Sequence, residues 1–209
     1  MAADPSQILV SQARRRIHAA AMQLFAERGV TKVNISELAT AAGMARGTIY
    51  SHVPAIDRLF EDVAGQLARE MTERVTAGFT GVADPALRLA IGVRQYIRRA
   101  HEEPLWGRFM SRFGLSPAVM QAVMSSTALS DFEAGVASGR YRVTPSQLPA
   151  MVALLAGSTL AAMLPVLDGH ATWREIGSDT VELLLRGLGI EAGEAQRLAR
   201  SDLPAMAAG

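Results

Sequence analysis

Hydrophobic residues recur along most of the chain at the three- and four-residue spacing that is typical of one face of an α-helix. In the first such segment Ile17, Ala20, Ala21, Leu24 and Phe25 follow this spacing. The sequence has no runs in which β-branched and polar residues alternate between turn signals, which is the pattern of a strand. The pattern therefore predicts an all-α protein.

Capping residues and prolines divide this pattern into separate helices. An acid, Ser or Thr directly before a proline marks a helix start, because proline fits the first helical turn. Asn34 and Glu37 form the N-x-x-E pattern of a capping box, and Gly29 and Gly43 fit the ends of the helices that precede them. We predict helices over about Ile8–Arg28, Ile35–Ala42, Ala45–His52, Ile56–Phe79, Pro85–Glu103, Pro104–Phe113, Pro117–Gly139, Pro145–Gly169 and Thr172–Leu188, followed by a charged tail.

The two short helices near the N-terminus have the spacing of a helix-turn-helix motif, over about residues 34–53. Small or apolar residues stand where such a motif packs inward: Leu38, Ala39, Ala42, Met44, Ile49 and Val53. Pro54 breaks the chain after the motif, and longer helices follow. We therefore divide the chain into residues 1–56, with the motif, and residues 57–209, a helical bundle.

The outer face of the second short helix carries the chemistry of a DNA-reading helix. Its residues are Arg46, Gly47, Thr48, Tyr50, Ser51 and His52. Arg46 can bind O6 and N7 of guanine, and the hydroxyls and imidazole can bind phosphates or base edges. Ser36, near the start of the supporting helix, can offer a backbone N–H and a hydroxyl to a phosphate. A polar helical hairpin on a protein surface remains the alternative.

Composition and charge narrow the function classes. The chain has no cysteine, which excludes disulfides, thiolate metal sites and a cysteine nucleophile. The formal net charge is +1, but residues 1–54 carry +3 and the remainder carries −2, so the basic excess lies with the candidate DNA-binding region. Neither H-E-x-x-H nor G-x-S-x-G occurs, and we expect no enzyme activity, cofactor or metal. The first residues lack a basic segment before an apolar one, so we expect a cytoplasmic protein.

The sequence Arg16-Ile17, Ala20-Ala21 and Leu24-Phe25-Ala26-Glu27-Arg28-Gly29, followed by the motif from Ile35 to His52, resembles the tetracycline-repressor-like (TetR) family of bacterial regulators. The resemblance covers roughly residues 14–60. It implies a homodimer with one helix-turn-helix per subunit in adjacent major grooves of a palindromic operator. It also implies an effector-binding C-terminal core and dimerisation through the last two long helices, about Thr144–Asp168 and Thr172–Leu188. Three positions depart from the family pattern: a capping Ser is missing at Ala45, an aromatic at Val53 and a phosphate-binding lysine at Ile56, for which Arg58 can substitute.

Two further residue sets belong to this expectation. The effector is expected to bind among central aromatic and methionine side chains: Tyr96, Trp106, Phe109, Met110, Phe113, Met120 and Met124. The same helical spacing also fits side chains that simply pack in the core. The dimer interface is expected at a small-residue stripe and at leucines of the last long helix: Ala153, Gly157, Ala161, Leu183, Leu184 and Leu188.

Two alternatives stay open at this point. The uncharged stretch Val143–Val166 is long enough to cross a bilayer, but prolines and small residues favour a helix that packs against protein, and we expect no membrane partner. The first function hypothesis is a ligand-controlled transcriptional repressor. The second is a small-molecule-binding helical interaction protein whose DNA contacts are vestigial.

Overall fold

The computed structural model describes residues 5–28, 33–53 and 55–206, and these residues contain α-helices and no β-strand. This confirms the all-α prediction. Short 3-10 turns at Ile56–Arg58 and Pro145–Gln147 lead into the fourth and ninth helices. The helices are α1 Pro5–Arg28, α2 Ile35–Ala42, α3 Arg46–His52, α4 Leu59–Ala77, α5 Pro85–Glu102, α6 Pro104–Phe113, α7 Pro117–Met124, α8 Thr127–Ala137, α9 Leu148–Leu167, α10 Trp173–Gly187 and α11 Ala192–Ala199.

The chain forms two compact units, an N-terminal unit of residues Met1–Val63 and a C-terminal unit of residues Ala64–Gly209. The sequence placed the division seven residues earlier, after Ile56. The fourth helix starts at Leu59, and its first turn, including the buried Val63, belongs to the N-terminal unit.

The N-terminal unit is built around the contact of α2 with α1 and α3. Leu38 and Ile49 are fully buried in it, as the sequence pattern predicts for the inner face of the motif. Asn34 accepts a hydrogen bond from the Glu37 N–H at 2.9 Å, and the Glu37 carboxylate accepts one from the Asn34 N–H at 3.0 Å. This reciprocal pair is the predicted capping box. Gly43 ends α2 at φ +60°, where any other residue would be strained.

In the C-terminal unit α5 lies at the centre and contacts α6, α8, α9, α10 and α11. Its buried positions Ala90, Val93 and Ile97 lie in one apolar core with Leu185 of α10. Asp84 begins α5 as predicted, because its carboxylate accepts a hydrogen bond from the Ala86 N–H at 3.0 Å. Residues of α5, among them Leu89 and Val93, also line the cavity of this unit.

Several helix bounds differ from the prediction for local reasons. The segment predicted as one helix from Pro117 to Gly139 is two helices. The Ser125 and Ser126 hydroxyls donate to the carbonyls of Gln121 and Val123 at 2.8 and 2.7 Å, and these bonds end α7 without a proline or glycine.

The other differences concern the predicted tail, the end of the fourth helix and residues outside the described ranges. The predicted charged tail contains the helix α11, which Glu191 caps by accepting from the Glu194 N–H at 3.1 Å. The fourth helix ends at Ala77 rather than Phe79. The predicted roles of Gly29 and Pro54 lie outside the described residues.

An ion-pair cluster joins three parts of the C-terminal unit. Arg140, in the turn after α8, donates to the Asp84 carboxylate at 2.9 and 2.8 Å and to the Glu194 carboxylate at 3.2 and 2.8 Å. These hydrogen bonds hold the pKa of Asp84 and of Glu194 below their usual values. The cluster thus ties the starts of α5 and α11 to the turn at Arg140.

This cluster predicts an acid-sensitive part of the stability. A carboxyl group whose pKa is lower in the folded chain stabilises it above the unfolded pKa, and this contribution is lost as the pH falls through the folded pKa. We expect the free energy of unfolding to decline below about pH 4. In Arg140→Met the melting temperature should be lower at pH 7 and should change less between about pH 5 and pH 3. Thermal melts followed by circular dichroism check this, and equal acid sensitivity in both proteins would contradict it.

Candidate functional site

The helix α3 presents a polar outer face in the N-terminal unit. Arg46, Gly47 and Ser51 are exposed, Tyr50 is 64% exposed, and Ile49 on the opposite side is buried. Thr48, His52 and Ser36 are half-buried. The structure therefore brings the predicted DNA-binding side chains of α3 to the surface of the motif and places the apolar ones inside.

Two of these side chains are already bonded to their own helix. The Ser51 hydroxyl donates to the Thr48 carbonyl at 2.8 Å, and His52 Nδ1 lies 2.9 Å from the same oxygen. At the other end Ala45 provides no side-chain cap, as its residue type predicts. Arg46 and Tyr50 are consequently the large side chains of α3 that extend furthest into solvent.

Arg16 has a structural part in the motif. Its guanidinium donates to the carbonyl of Ala42 at 3.0 Å and to the carbonyl of Gly43 at 2.5 Å. A cation at the C-terminal end of a helix satisfies open carbonyls and interacts favourably with the helix dipole. Arg16 thus fixes the turn between α2 and α3 to α1, and its charge counts only in part toward the positive region inferred from the sequence.

The C-terminal unit contains a cavity of about 180 Å³ that is partly open to solvent. Aliphatic and aromatic side chains of α4, α5, α7, α8 and α9 form most of its wall, among them Val75, Leu89, Val119, Leu129 and Leu155. Gly92 and Gly114 bring backbone close to the space. Apolar cavities with few polar groups are the usual form of small-molecule sites.

The polar side chains of the wall are an ion pair, two tyrosines and the smaller hydroxyl residues Thr72, Thr76, Ser126 and Thr159. Arg88 and Asp131 form an ion pair with Nη1 and Oδ1 2.5 Å apart, and Arg88 Nε also donates to the Val82 carbonyl at 2.6 Å. Two buried hydroxyls, those of Tyr96 and Tyr141, have a pKa raised by burial and are neutral at physiological pH. The cavity therefore presents hydroxyls and a neutralised ion pair.

The predicted ligand residues are only partly brought together. Tyr96 and Met110 line the cavity, whereas the other five predicted residues are not part of its wall. Trp106 and Phe109 are 1% and 0% exposed and belong to the core, and Met124 is 49% exposed. The cause is that helical spacing identifies the side chains that pack inward, but it does not show where a cavity remains between the helices.

Sequence reasoning missed most of the wall. Tyr141, Arg88, Asp131, Thr72 and Thr159 all line the cavity but follow no motif. Phe132 is an exception, because it also lines the cavity and lies in the central region of the sequence where aromatic residues are concentrated. Among the described residues no group of three or more His, Asp or Glu side chains is placed to hold a metal ion.

An exposed apolar stripe runs along α9. Pro145–Leu167 is, within the described part of the chain, one segment long and apolar enough to cross a membrane by length and composition alone, and only 28% of its most apolar window is buried. Leu154 and Leu164 are 51% and 50% exposed. Ala153 and Ala161 are exposed beside them, and Gly157 is half-buried.

The predicted leucines, two on α10 and Leu188 directly after it, divide between two environments. Leu183 is 65% exposed, whereas Leu184 and Leu188 are 5% and 1% exposed in the core of their own chain. Of the three leucines, Leu183 is therefore the one that a partner could reach. The prediction for Leu184 and Leu188 is corrected, because consecutive helical residues point to different sides of the helix.

A helix-turn-helix with a polar outer face, followed along the chain by an all-helical unit, is typical of helix-turn-helix DNA-binding proteins. The profile of the family described as bacterial regulatory proteins, tetR family, matches residues 17–63, and that described as tetracyclin repressor-like, C-terminal domain, matches residues 84–201. The chain belongs to the TetR family of transcriptional regulators. Members of this family are soluble, non-enzymatic DNA-binding proteins.

Comparison with individual proteins agrees with this assignment. An uncharacterised helix-turn-helix-type regulator of Mycobacterium tuberculosis is 27% identical over 89 residues, which span 43% of this chain and 44% of that protein. The structure of RolR in complex with resorcinol aligns with a TM-score of 0.72 and 28% identity over 94% of this chain and 97% of that one. FadR from Bacillus subtilis, in complex with stearoyl-CoA, aligns with a TM-score of 0.67 and 17% identity, over 83% of this chain and 98% of that one. The latter similarity shows a shared fold.

Proposed function

We propose that this TetR-family regulator is a homodimeric, cytoplasmic repressor that binds a palindromic operator and is released by a small apolar or amphipathic effector. The observation that supports this most directly is the combination, in one chain, of an exposed polar α3 with an apolar cavity in the C-terminal unit. The first provides DNA contacts, and the second provides a place for a ligand.

On the DNA side, α3 enters the major groove and its outer side chains meet the bases and phosphates. Arg46 is the base-reading residue, because a guanidinium can donate two hydrogen bonds to guanine. Tyr50, Thr48, Ser51, His52 and Ser36 contact the backbone or neighbouring base edges, and Gly47 allows close approach. Exposure of Arg46 and Tyr50 supports these roles.

The homodimer is supported by the exposed stripe of α9. Two exposed leucines and exposed alanines on a single helix are an apolar area that a soluble protein covers with a partner. A second copy of the same helix fits, because small residues allow two helices to approach closely around a twofold axis. We assign Ala153, Leu154, Gly157, Ala161 and Leu164 to this interface, together with Leu183 of α10, which packs beside α9.

The effector side is supported by the cavity and by one similar protein. RolR, 28% identical, has been crystallised with resorcinol, a small ring with polar groups. A ligand of that size fits a mostly apolar cavity lined by Tyr96 and Met110. To release DNA it must favour a dimer whose two α3 helices are wrongly spaced for one turn of the double helix.

DNA retardation tests the proposed function against the alternative of a ligand-binding protein with vestigial DNA contacts. The purified full-length protein is titrated onto the DNA flanking its own gene at about 0.15 M salt. We expect a discrete complex at nanomolar protein that resists excess random DNA. If random DNA competes away the complex even at low salt, the result favours a ligand-binding protein with vestigial DNA contacts.

A further inference from the structure

Tyr141 is held rigidly in the cavity wall. It is 3% exposed, its ring stacks on Phe132 with centroids 5.0 Å apart, and its N–H donates to the Gly135 carbonyl at 3.0 Å. A side chain at Gly135 would overlap the Tyr141 ring, so the glycine lets the ring lie flat against α8. The next residue, Arg142, is fixed by its N–H bond to the Leu188 carbonyl at 2.8 Å. The hydroxyl therefore occupies a defined place.

The hydroxyl of Tyr141 is buried and has no hydrogen-bond partner among the described residues. The other tyrosine of the wall is different: the Tyr96 hydroxyl donates to the Ala68 carbonyl at 3.2 Å and lies 3.3 Å from the Thr72 hydroxyl. Buried polar groups are nearly always paired, because leaving one unpaired costs stability. Tyr141 lines the cavity, and its buried hydroxyl is therefore a polar group of a wall residue that still lacks the partner a ligand could supply.

The charges of the wall indicate a neutral ligand. Among the residues that line the cavity, Arg88 and Asp131 carry charge, and they neutralise each other at 2.5 Å. A carboxylate or ammonium ligand would lose its hydration without gaining an opposite charge. A neutral hydroxyl, by contrast, can exchange hydrogen bonds with the neutral Tyr141 hydroxyl.

The size and shape of the space indicate a single ring. A cavity of about 150 Å³ lined by apolar side chains is large enough for benzene, and this one measures about 180 Å³. The aromatic rings of Phe132 and Tyr141 add flat surfaces against which another ring can pack. One ring with one or two small substituents therefore fits.

We propose that the ligand is a neutral, single-ring phenol and that Tyr141 recognises its hydroxyl. This inference rests on the proposed function only in taking the cavity as the effector site. It adds the chemical class of the ligand and the residue that distinguishes a hydroxyl from a methyl group of the same size.

The test is a cycle of two proteins and two probes. Phenol and toluene differ by hydroxyl against methyl, and Tyr141→Phe removes the protein's hydroxyl. Calorimetric titration of the full-length protein without DNA should show Tyr141→Phe weakening phenol binding about 3-fold to 10-fold, as expected for one hydrogen bond. Toluene affinity should stay within about twofold. The melting temperature of the unliganded variant should equal or exceed that of the wild type, since an unpaired buried hydroxyl has been removed.

Tyr96→Phe is the matched control, because it removes a tyrosine hydroxyl that already has partners in the same wall. It should change the affinities for phenol and toluene by the same factor. The proposal is overturned if neither probe binds wild type, if Tyr141→Phe leaves the phenol-to-toluene ratio unchanged, or if Tyr96→Phe shifts that ratio equally. If the protein does not retard DNA but the phenol-to-toluene affinity ratios change as expected, the repressor function is overturned and the ligand site stands.

Discussion

Leu154→Glu is expected to convert the protein into a monomer at micromolar concentration and to abolish tight operator binding. Leu154 is 51% exposed in the stripe of α9 that we assign to the twofold interface. A glutamate there would place two like charges, without partners, in an apolar contact around the axis. We expect the dimer dissociation constant to rise by at least about 100-fold, which corresponds to roughly 2.7 kcal/mol. Sedimentation equilibrium measures it directly.

Met124→Glu is the control for this variant. Met124 is an apolar side chain of similar exposure, 49%, but lies on α7, outside the stripe. It should remain dimeric and bind DNA like the wild type. Since Leu154 is solvent-exposed in the single chain, Leu154→Glu should keep its helical circular dichroism spectrum. A Leu154→Glu protein that sediments as a dimer, or a Met124→Glu protein that does not, would contradict the proposed interface.

The parts of the fold that the sequence predicted well are those with local causes. The capping box at Asn34, the left-handed Gly43 and the acid before Pro85 are each decided within a few residues. The bounds of α2 were therefore predicted to the residue. The break between α7 and α8 was missed because two serines, which also occur inside helices, end the helix by bonding back to its carbonyls.

The cavity could not be predicted in the same way. A helical stripe such as that of Trp106, Phe109 and Met110 predicts burial, and all three are buried. Whether such a side chain meets another side chain or an empty space depends on how several helices pack, and Met110 lines the cavity while the other two do not. Tyr141 follows a turn, outside any periodic pattern, and only the assembled wall makes its hydroxyl significant.

Unlike the cavity, the polar outer face of α3 could be predicted from the sequence. In a helix-turn-helix the inner positions are set by packing, so whatever is polar on α3 must face outward. Ile49 is fully buried and Tyr50 is 64% exposed, as that rule requires. The structure added the role of Arg16, which no spacing rule would separate from its two neighbouring arginines.

Arg46→Ala is expected to weaken operator binding by roughly 30-fold to 30 000-fold. An arginine that binds guanine bidentately contributes about 1–3 kcal/mol, and a dimer on a palindrome loses two such contacts, which gives that range. The folded protein should be unaffected, because Arg46 is exposed. Fluorescence anisotropy with the wild-type operator, and with operators altered one base pair at a time, measures both affinity and specificity.

Arg58→Ala is the matched arginine control, with a different expected signature. Arg58 is 60% exposed in the 3-10 turn before α4 and lies 3.8 Å from Asp62. The family resemblance places a phosphate-binding lysine at Ile56, for which Arg58 can substitute. Losing a phosphate contact should weaken binding to all sequences alike and reduce the slope of log K against log salt by about 0.9 for each site. Arg46→Ala should instead relax preference at one base pair in each half-site. If the two variants lose affinity uniformly across all operators, Arg46 binds the backbone and the base-reading role passes to another residue of α3.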